Sequence, residues 1–140
     1  MTFYVVGDAT PAAQLTVACR ITEKAWKNGS TVLIQHGDRE ALGKLDAMLW
    51  TQGNEQSFIP HQIAAEAPSL TGIPVVLNTG TGPTAAVDVL INLTAQLPTH
   101  PELAARIIEI IDADPARRAA GRERFKAYRE RGFPLEKHDL

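Results

Sequence analysis

Seven basic side chains are concentrated between Pro115 and Gly132, where the chain reads PARRAAGRERFKAYRERG. Four residues there follow i, i+4, i+7, i+11 spacing and form one stripe on a helix: Arg118, Arg122, Phe125 and Arg129. Guanidinium groups beside an aromatic ring suit a partner that carries a carboxylate and an apolar or aromatic side chain. The alternative is a solvated charged face, and the spacing alone does not separate the two.

Both ends of this basic helix carry boundary signals. Asp114 before Pro115 is typical of an N-cap followed by proline at the first helical position. Gly132 directly after the last arginine predicts the C-terminal stop. The sequence therefore predicts a helix that presents the stripe from one end to the other.

The elements before the basic helix alternate between strand-like and helical patterns. Strands are predicted at residues 3–7, 30–36, 74–78, 87–93 and 105–112. Helices are predicted from Pro11 to about Asn28, where Gly29 follows, and from the capping residue Asp38 to Trp50. One face of the first helix carries Cys19 and Trp26, which we expect to pack on the sheet.

This order predicts an α/β fold, a single three-layer α/β/α domain over residues 1–133. Its sheet is expected to be mainly parallel and Rossmann-like, with about five strands and the basic helix at its C-terminal end. Residues 134–140 are expected to form a polar, frayed C-terminal tail. Residues 62–73 are expected to form a loop, and the sequence assigns it no role.

The charge is distributed unevenly along the chain. Residues 1–114 carry 6 basic and 12 acidic side chains, a net of −6, and residues 115–140 carry 8 and 4, a net of +4. This pattern argues against nucleic-acid binding across the whole surface and favours one local site for an acidic partner. We also expect no membrane helix, no basic signal-peptide region and, with Cys19 as the single cysteine, a reducing cytoplasm.

A glycine-rich loop raises the alternative of a nucleotide-binding protein or enzyme, because parallel α/β sheets often bind nucleotides. The loop runs from Gly80 to Thr84, but it lacks a third glycine at the required spacing and a following lysine. It precedes a strand-like run, so it offers no helix N-terminus to a phosphate. We therefore expect no bound cofactor.

No catalytic or metal-binding constellation is predicted. The four histidines are scattered, with no ligand-like pair on one element: His36, His61, His100 and His138. His36, at a strand end, is the best acid–base candidate, although a loop histidine is the simpler interpretation. We expect no catalytic residue and no metal site, which favours an adaptor over an enzyme.

Two aromatic residues bracket a polar turn after the second helix. One interpretation is that Trp50 and Phe58, with Ile59 and Pro60, form an apolar patch suited to a protein contact, because aromatics are enriched at interface hot spots. The alternative is that Trp50 and Phe58 seal an edge of the sheet. The sequence leaves both interpretations open.

Taken together, these segments resemble the chi subunits of bacterial DNA polymerase III holoenzyme over essentially the whole chain. The markers of the resemblance are TFYVV, AWKNGSTVLI, LDAMLW followed by SFIPHQIAAE, DVLINL and RERFKAYRERGF. The resemblance implies a non-catalytic accessory of the clamp-loader assembly, with a mononucleotide-binding fold that binds no nucleotide.

The resemblance also implies two partner surfaces. Arg118, Arg122 and Phe125 match positions that hold the acidic C-terminal tail of single-stranded DNA-binding protein; Arg129 joins them by spacing. Phe125 stands where tyrosine is often found, and Arg118 where lysine occurs. The remaining arginines, Arg117, Arg124 and Arg131, are expected to be solvated and to steer the tail.

The second implied surface binds the psi subunit or an equivalent clamp-loader component. Trp50 and Phe58 fall on the matching segment, and Ile59 and Pro60 complete the patch. The same surface is expected to serve a helicase-type partner. No direct nucleic-acid binding and no membrane contact are expected.

Overall fold

The fold is described by a computed structural model that covers residues 2–5, 11–51, 61–64, 75–78, 86–94, 98, 101–111 and 114–139. The strands in these residues are β1 (Thr2–Val5), β2 (Val32–Gln35), β3 (His61–Ala64), β4 (Val75–Asn78), β5 (Val87–Asn92), β6 (Ala104–Ile111) and β7 (Glu136–Asp139). The α-helices are α1 (Pro11–Lys27), α2 (Arg39–Thr51) and α3 (Pro115–Glu130). A short 3₁₀ turn, Pro101–Leu103, leads directly into β6.

All the described strands belong to one sheet, in the order β3-β4-β2-β5-β6-β1-β7. Every pairing between neighbouring strands in this order is parallel. The predicted parallel, Rossmann-like α/β architecture is therefore confirmed. Because the strands are parallel and the helices follow their strands, the N-termini of the helices gather at the carboxyl edge of the sheet.

Helices cover both faces of the sheet, which confirms the three-layer prediction. Alternate residues of β2 point to opposite sides: Ile34 joins the core formed with α1 and α2, and Leu33 joins the core that includes Tyr128 of α3. Such runs, buried on both faces, are what parallel strands require. None of the helices in the described ranges has the length and apolar character needed to cross a membrane.

The first two helices form as predicted. The chain after α1 turns at Gly29, with φ 81°, and the Ser30 amide donates to the Ala25 carbonyl at 3.0 Å. At the start of α2 the Glu40 amide donates to the Asp38 carboxylate at 3.0 Å, which confirms the N-cap. Cys19 is buried in α1, and this burial raises the pKa of its thiol to about 12.

Two strands were not predicted, and one of them replaces the expected frayed tail. Three of the four residues of β3 fall in the segment 62–73 that was expected to be a loop, and β3 adds to β4 at one edge of the sheet. β7 pairs with β1 at the other edge, so the expected fraying is wrong for residues 136–139. Its sequence, EKHD, has no apolar residue, and its placement depends on pairing with the distant residues 2–5.

Candidate functional site

The basic helix begins and ends at the predicted signals. Asp114 has φ −62° and ψ 126°, and its carboxylate accepts the Arg117 amide at 3.0 Å, while Pro115 occupies the first turn. At the other end Gly132 has φ 84°, and the Phe133 amide donates to the Tyr128 carbonyl at 3.2 Å. The Gly132 amide also donates to the Arg129 carbonyl at 3.1 Å, and these two C-terminal bonds form a Schellman motif. Phe133 packs edge-on against Tyr128 with ring centroids 5.8 Å apart.

A buried hydrogen-bond network holds α3 against the sheet. Glu109 of β6 is fully buried and accepts three hydrogen bonds. The donors are Arg124 Nε at 3.0 Å, Tyr128 Oη at 2.8 Å and Asn92 Nδ2 at 2.8 Å. Arg124 is only 7% exposed, so the expectation that it is solvated and steers a partner is wrong. Its charge is paired with Glu109 inside the molecule.

The electrostatics of this network follow from its burial. Burial raises the pKa of Glu109, against the opposing effects of the Arg124 charge and of the bonds from Asn92 and Tyr128. Burial, followed by the nearby Glu109 charge, raises the pKa of Tyr128 well above its ordinary value. All three partners of Glu109 are donors, and an ionised carboxylate is the form that accepts from all of them.

Close contact between α3 and β6 depends on a glycine. Gly121 is buried, and a Cβ placed there would collide with the Cδ1 atom of Ile111. A side chain at this turn of α3 would therefore require the Ile111 side chain to move.

Beside this contact lies a pocket of about 270 Å³, here called the α3–β7 pocket. The helix contributes Arg118, Gly121, Arg122 and Phe125, and the sheet contributes Phe3, Ile111 and Lys137. The rings of Phe3 and Phe125 meet edge-on, with centroids 5.0 Å apart. The pocket thus combines an apolar lining with the cationic side chains of two elements.

The structure brings together three of the four predicted stripe residues. Arg118 and Phe125 are half-buried, Arg122 is exposed, and all three line the α3–β7 pocket. Arg129 is exposed and is not among the residues that line it. The predicted psi-binding residues lie outside what the structure describes: the side chain of Trp50 and the whole of Phe58, Ile59 and Pro60.

Sequence reasoning missed four residues of this pocket. Gly121 carried a usable signal, because an isolated glycine inside a helix often marks a close approach. Phe3, Ile111 and Lys137 carried none, since they reach the pocket only through the pairing of β1 with β6 and β7.

A second, larger depression, here called the carboxyl-edge depression, lies at the carboxyl ends of the strands. Its volume is about 780 Å³, and its polar lining includes Gln14, His36, Lys44, Thr94 and Arg117. This is the edge at which parallel α/β sheets bind ligands. The glycine-rich loop from Gly80 to Thr84 is outside the described residues.

His36 has a local structural role in this depression. Its Nδ1 atom accepts the amide of Asp38 at 3.0 Å, immediately before α2. Burial lowers the pKa of His36, and the Asp38 charge acts in the opposite direction. Within the described ranges, no three histidine, cysteine or carboxylate side chains are grouped closely enough to hold a metal ion.

Comparison with known proteins points to one family. Residues 1–136 match the family described as "DNA polymerase III chi subunit, HolC". DNA polymerase III subunit chi of Pseudomonas aeruginosa is 41% identical over 138 residues, covering 99% of this chain and 94% of the relative. The same-named subunit of Escherichia coli is 30% identical over 139 residues, covering 96% and 93%. That of Haemophilus influenzae is 26% identical over 138 residues, covering 99% and 95%.

Proposed function

The chain belongs to the family of DNA polymerase III chi subunits, and we propose that it is a non-catalytic adaptor in DNA replication. In this proposal it binds the acidic C-terminal tail of single-stranded DNA-binding protein. It links that protein to the clamp loader through psi or an equivalent component.

The observation that carries the tail-binding proposal is the α3–β7 pocket. A tail that ends in an apolar residue presents a side chain and a free carboxylate at the same place. The pocket offers Phe3, Phe125 and Ile111 to the side chain, and the guanidinium groups of Arg118 and Arg122 to carboxylates. Three residues of the predicted stripe thus line an apolar recess, which supports the proposal that a terminal side chain binds there.

The expected affinity follows from the size of the contact. One apolar side chain and two or three exposed ion pairs support micromolar binding, which corresponds to about −8 kcal/mol. Because the guanidinium groups are at or near the surface, salt screens them and weakens the complex.

Replacement of Arg122 by alanine tests the tail-binding proposal. We expect Arg122→Ala to weaken binding of a fluorescently labelled tail peptide by about 1–3 kcal/mol, since one charge-assisted hydrogen bond is lost. Fluorescence anisotropy titration measures the affinity. The control is Arg20→Ala, which removes the same charge from an exposed position on α1, far along the chain from the pocket. Unchanged affinity in Arg122→Ala would contradict the proposal.

The link to the clamp loader rests on family membership and on the apolar patch that the sequence predicts from Trp50, Phe58, Ile59 and Pro60. We propose that this patch binds psi or its equivalent, and a helicase-type protein in alternative complexes. Co-purification with a psi chain from the same genome, compared between the unmodified protein and Phe58→Ala, tests it. Equal recovery of psi with both proteins would argue against this surface.

The carboxyl-edge depression supports a second candidate, binding of a nucleotide. The size of the depression and its place at the strand ends favour nucleotide binding. The acidic side chains of Asp38 and Glu40 in its lining disfavour a phosphate. Thermal unfolding in the presence of ATP or NAD separates the candidates. A reproducible rise in melting temperature would favour the nucleotide, and no rise leaves the adaptor as the sole proposal.

A further inference from the structure

Lys137 lines the α3–β7 pocket from a different element than the arginines do. It lies on β7, directly opposite Phe3 of β1 in the parallel register. Register partners on adjacent parallel strands point to the same face, about 4.8 Å apart. Phe3 packs with Tyr128 and Phe125 beneath α3, so Lys137 is placed beside the apolar part of the pocket.

The cations of the pocket are therefore only partly those of the helical stripe. Arg118 and Arg122 come from α3 and Lys137 comes from β7, whereas Arg129, which continues the stripe, is not part of the lining. A ligand that followed the helix would meet Arg129, and a ligand that enters the pocket would meet Lys137.

We infer that Lys137 binds a carboxylate of the peptide and that β7 is an integral part of the peptide-binding site. The inference rests on the proposed tail binding and deepens it. The peptide end is held between α3 and the edge of the sheet, with its apolar side chain against Phe3 and Phe125. Charges on two elements select a short chain end over an acidic surface that merely rests on the helix.

Charge variants at matched positions provide the test. Lys137→Ala is expected to weaken binding of the labelled tail peptide about fivefold, the upper range for an exposed ion pair. Lys137→Glu should weaken it further. Lys126→Glu makes the same charge change at an exposed position of α3 outside the pocket, so it reports the general electrostatic effect alone. Arg129→Ala is expected to have a smaller effect than Lys137→Ala.

The folded state of β7 requires its own control, because β7 is an edge strand. Lys137→Arg keeps the charge and should retain most of the affinity. In the unmodified protein, added peptide should slow hydrogen exchange of the amides in residues 136–139. Loss of affinity in Lys137→Arg together with unaltered exchange on peptide addition would show that Lys137 acts only through folding, and would overturn the inference.

The remaining outcomes separate the inference from the function on which it rests. If the unmodified protein does not bind the peptide, the proposed function fails. If it binds, but Lys137→Glu and Lys126→Glu weaken binding equally, β7 is not part of the site. A larger effect of Arg129→Ala than of Lys137→Ala would also overturn the inference, since the peptide would then follow the helix.

Discussion

At the scale of single residues, Glu109 decides how α3 is attached to the sheet. Its carboxylate accepts from Arg124, Tyr128 and Asn92 in a fully buried position. Buried charges of this kind are tolerated because they are paired and hydrogen-bonded. The network also fixes the rotation of α3 about its axis, which turns Arg118, Arg122 and Phe125 toward β7.

Replacement of Glu109 tests this attachment. Glu109→Gln puts an amide donor among three donors and leaves Arg124 buried without a counter-charge, so we expect a loss of about 3–5 kcal/mol in the free energy of unfolding. Urea denaturation at neutral pH measures it. Glu123→Gln on the exposed side of α3 is the control and should change stability by less than about 0.5 kcal/mol. Equal midpoints for the two variants would contradict a stabilising role for the network.

The individual residues of the site were predicted only in part from sequence. Helical spacing placed Arg118, Arg122 and Phe125 on one face, since that relation is local. The same spacing gave no reason to separate Arg124 from Arg117 and Arg131. The partner of Arg124, Glu109, lies on another element. A usable signal was the single acid in the apolar run RIIEII, which implies a buried carboxylate in need of a donor.

At the scale of elements, the approach of α3 to β6 shapes the pocket. Gly121 of α3 lies against the side chain of Ile111 of β6, and both residues also line the α3–β7 pocket. A change in this spacing is therefore expected to affect both stability and the proposed peptide binding.

Two glycine-to-alanine replacements with opposite expected effects on stability test the importance of the spacing between α3 and β6. Gly121→Ala should destabilise the protein by about 1–2 kcal/mol, because overpacking against Ile111 exceeds the gain in helix propensity. Gly43→Ala in α2 meets no atom within 4 Å and should stabilise by about 0.5–1 kcal/mol. Urea denaturation and the peptide titration give both readouts. If both replacements stabilised the protein, the contact between Gly121 and Ile111 would not limit its stability.

The elements were predictable where local signals mark them. Glycines at positive φ ended α1 and α3, and aspartates began α2 and α3, all at the expected residues. β3 and β7 were missed because each is a four-residue edge strand, and in β7 no apolar side chain marks the strand. The apolar residues that anchor the segment before β7 are Phe133 and Leu135, which pack in the core beneath α3.

At the scale of the whole molecule, the charge asymmetry favours approach of an acidic peptide toward α3. The net of +4 over residues 115–140 contrasts with −6 over residues 1–114. The exposed Arg131 directly follows α3 and does not line the pocket. Such charges raise the rate of association more than they stabilise the bound complex.

Stopped-flow kinetics with the labelled peptide tests this steering. The association rate constant should fall on the order of tenfold from low to high salt, with a smaller change in dissociation. Arg131→Ala should lower the association rate constant alone. Lys24→Ala removes the same charge at an exposed position of α1 and should leave the association rate constant nearly unchanged. Effects confined to dissociation would argue against steering.

The position of β1 has a consequence for the order in which the protein assembles. β1 lies between β6 and β7, so it pairs with residues 108–111 on one side and 136–139 on the other. On the ribosome, residues 2–5 emerge long before either partner has been made. The backbone hydrogen-bonding groups of β1 therefore cannot pair with other strands until the C-terminal part of the chain has been synthesised. Because Phe3 and Lys137 belong to this late pairing, the α3–β7 pocket is among the last parts of the molecule to form.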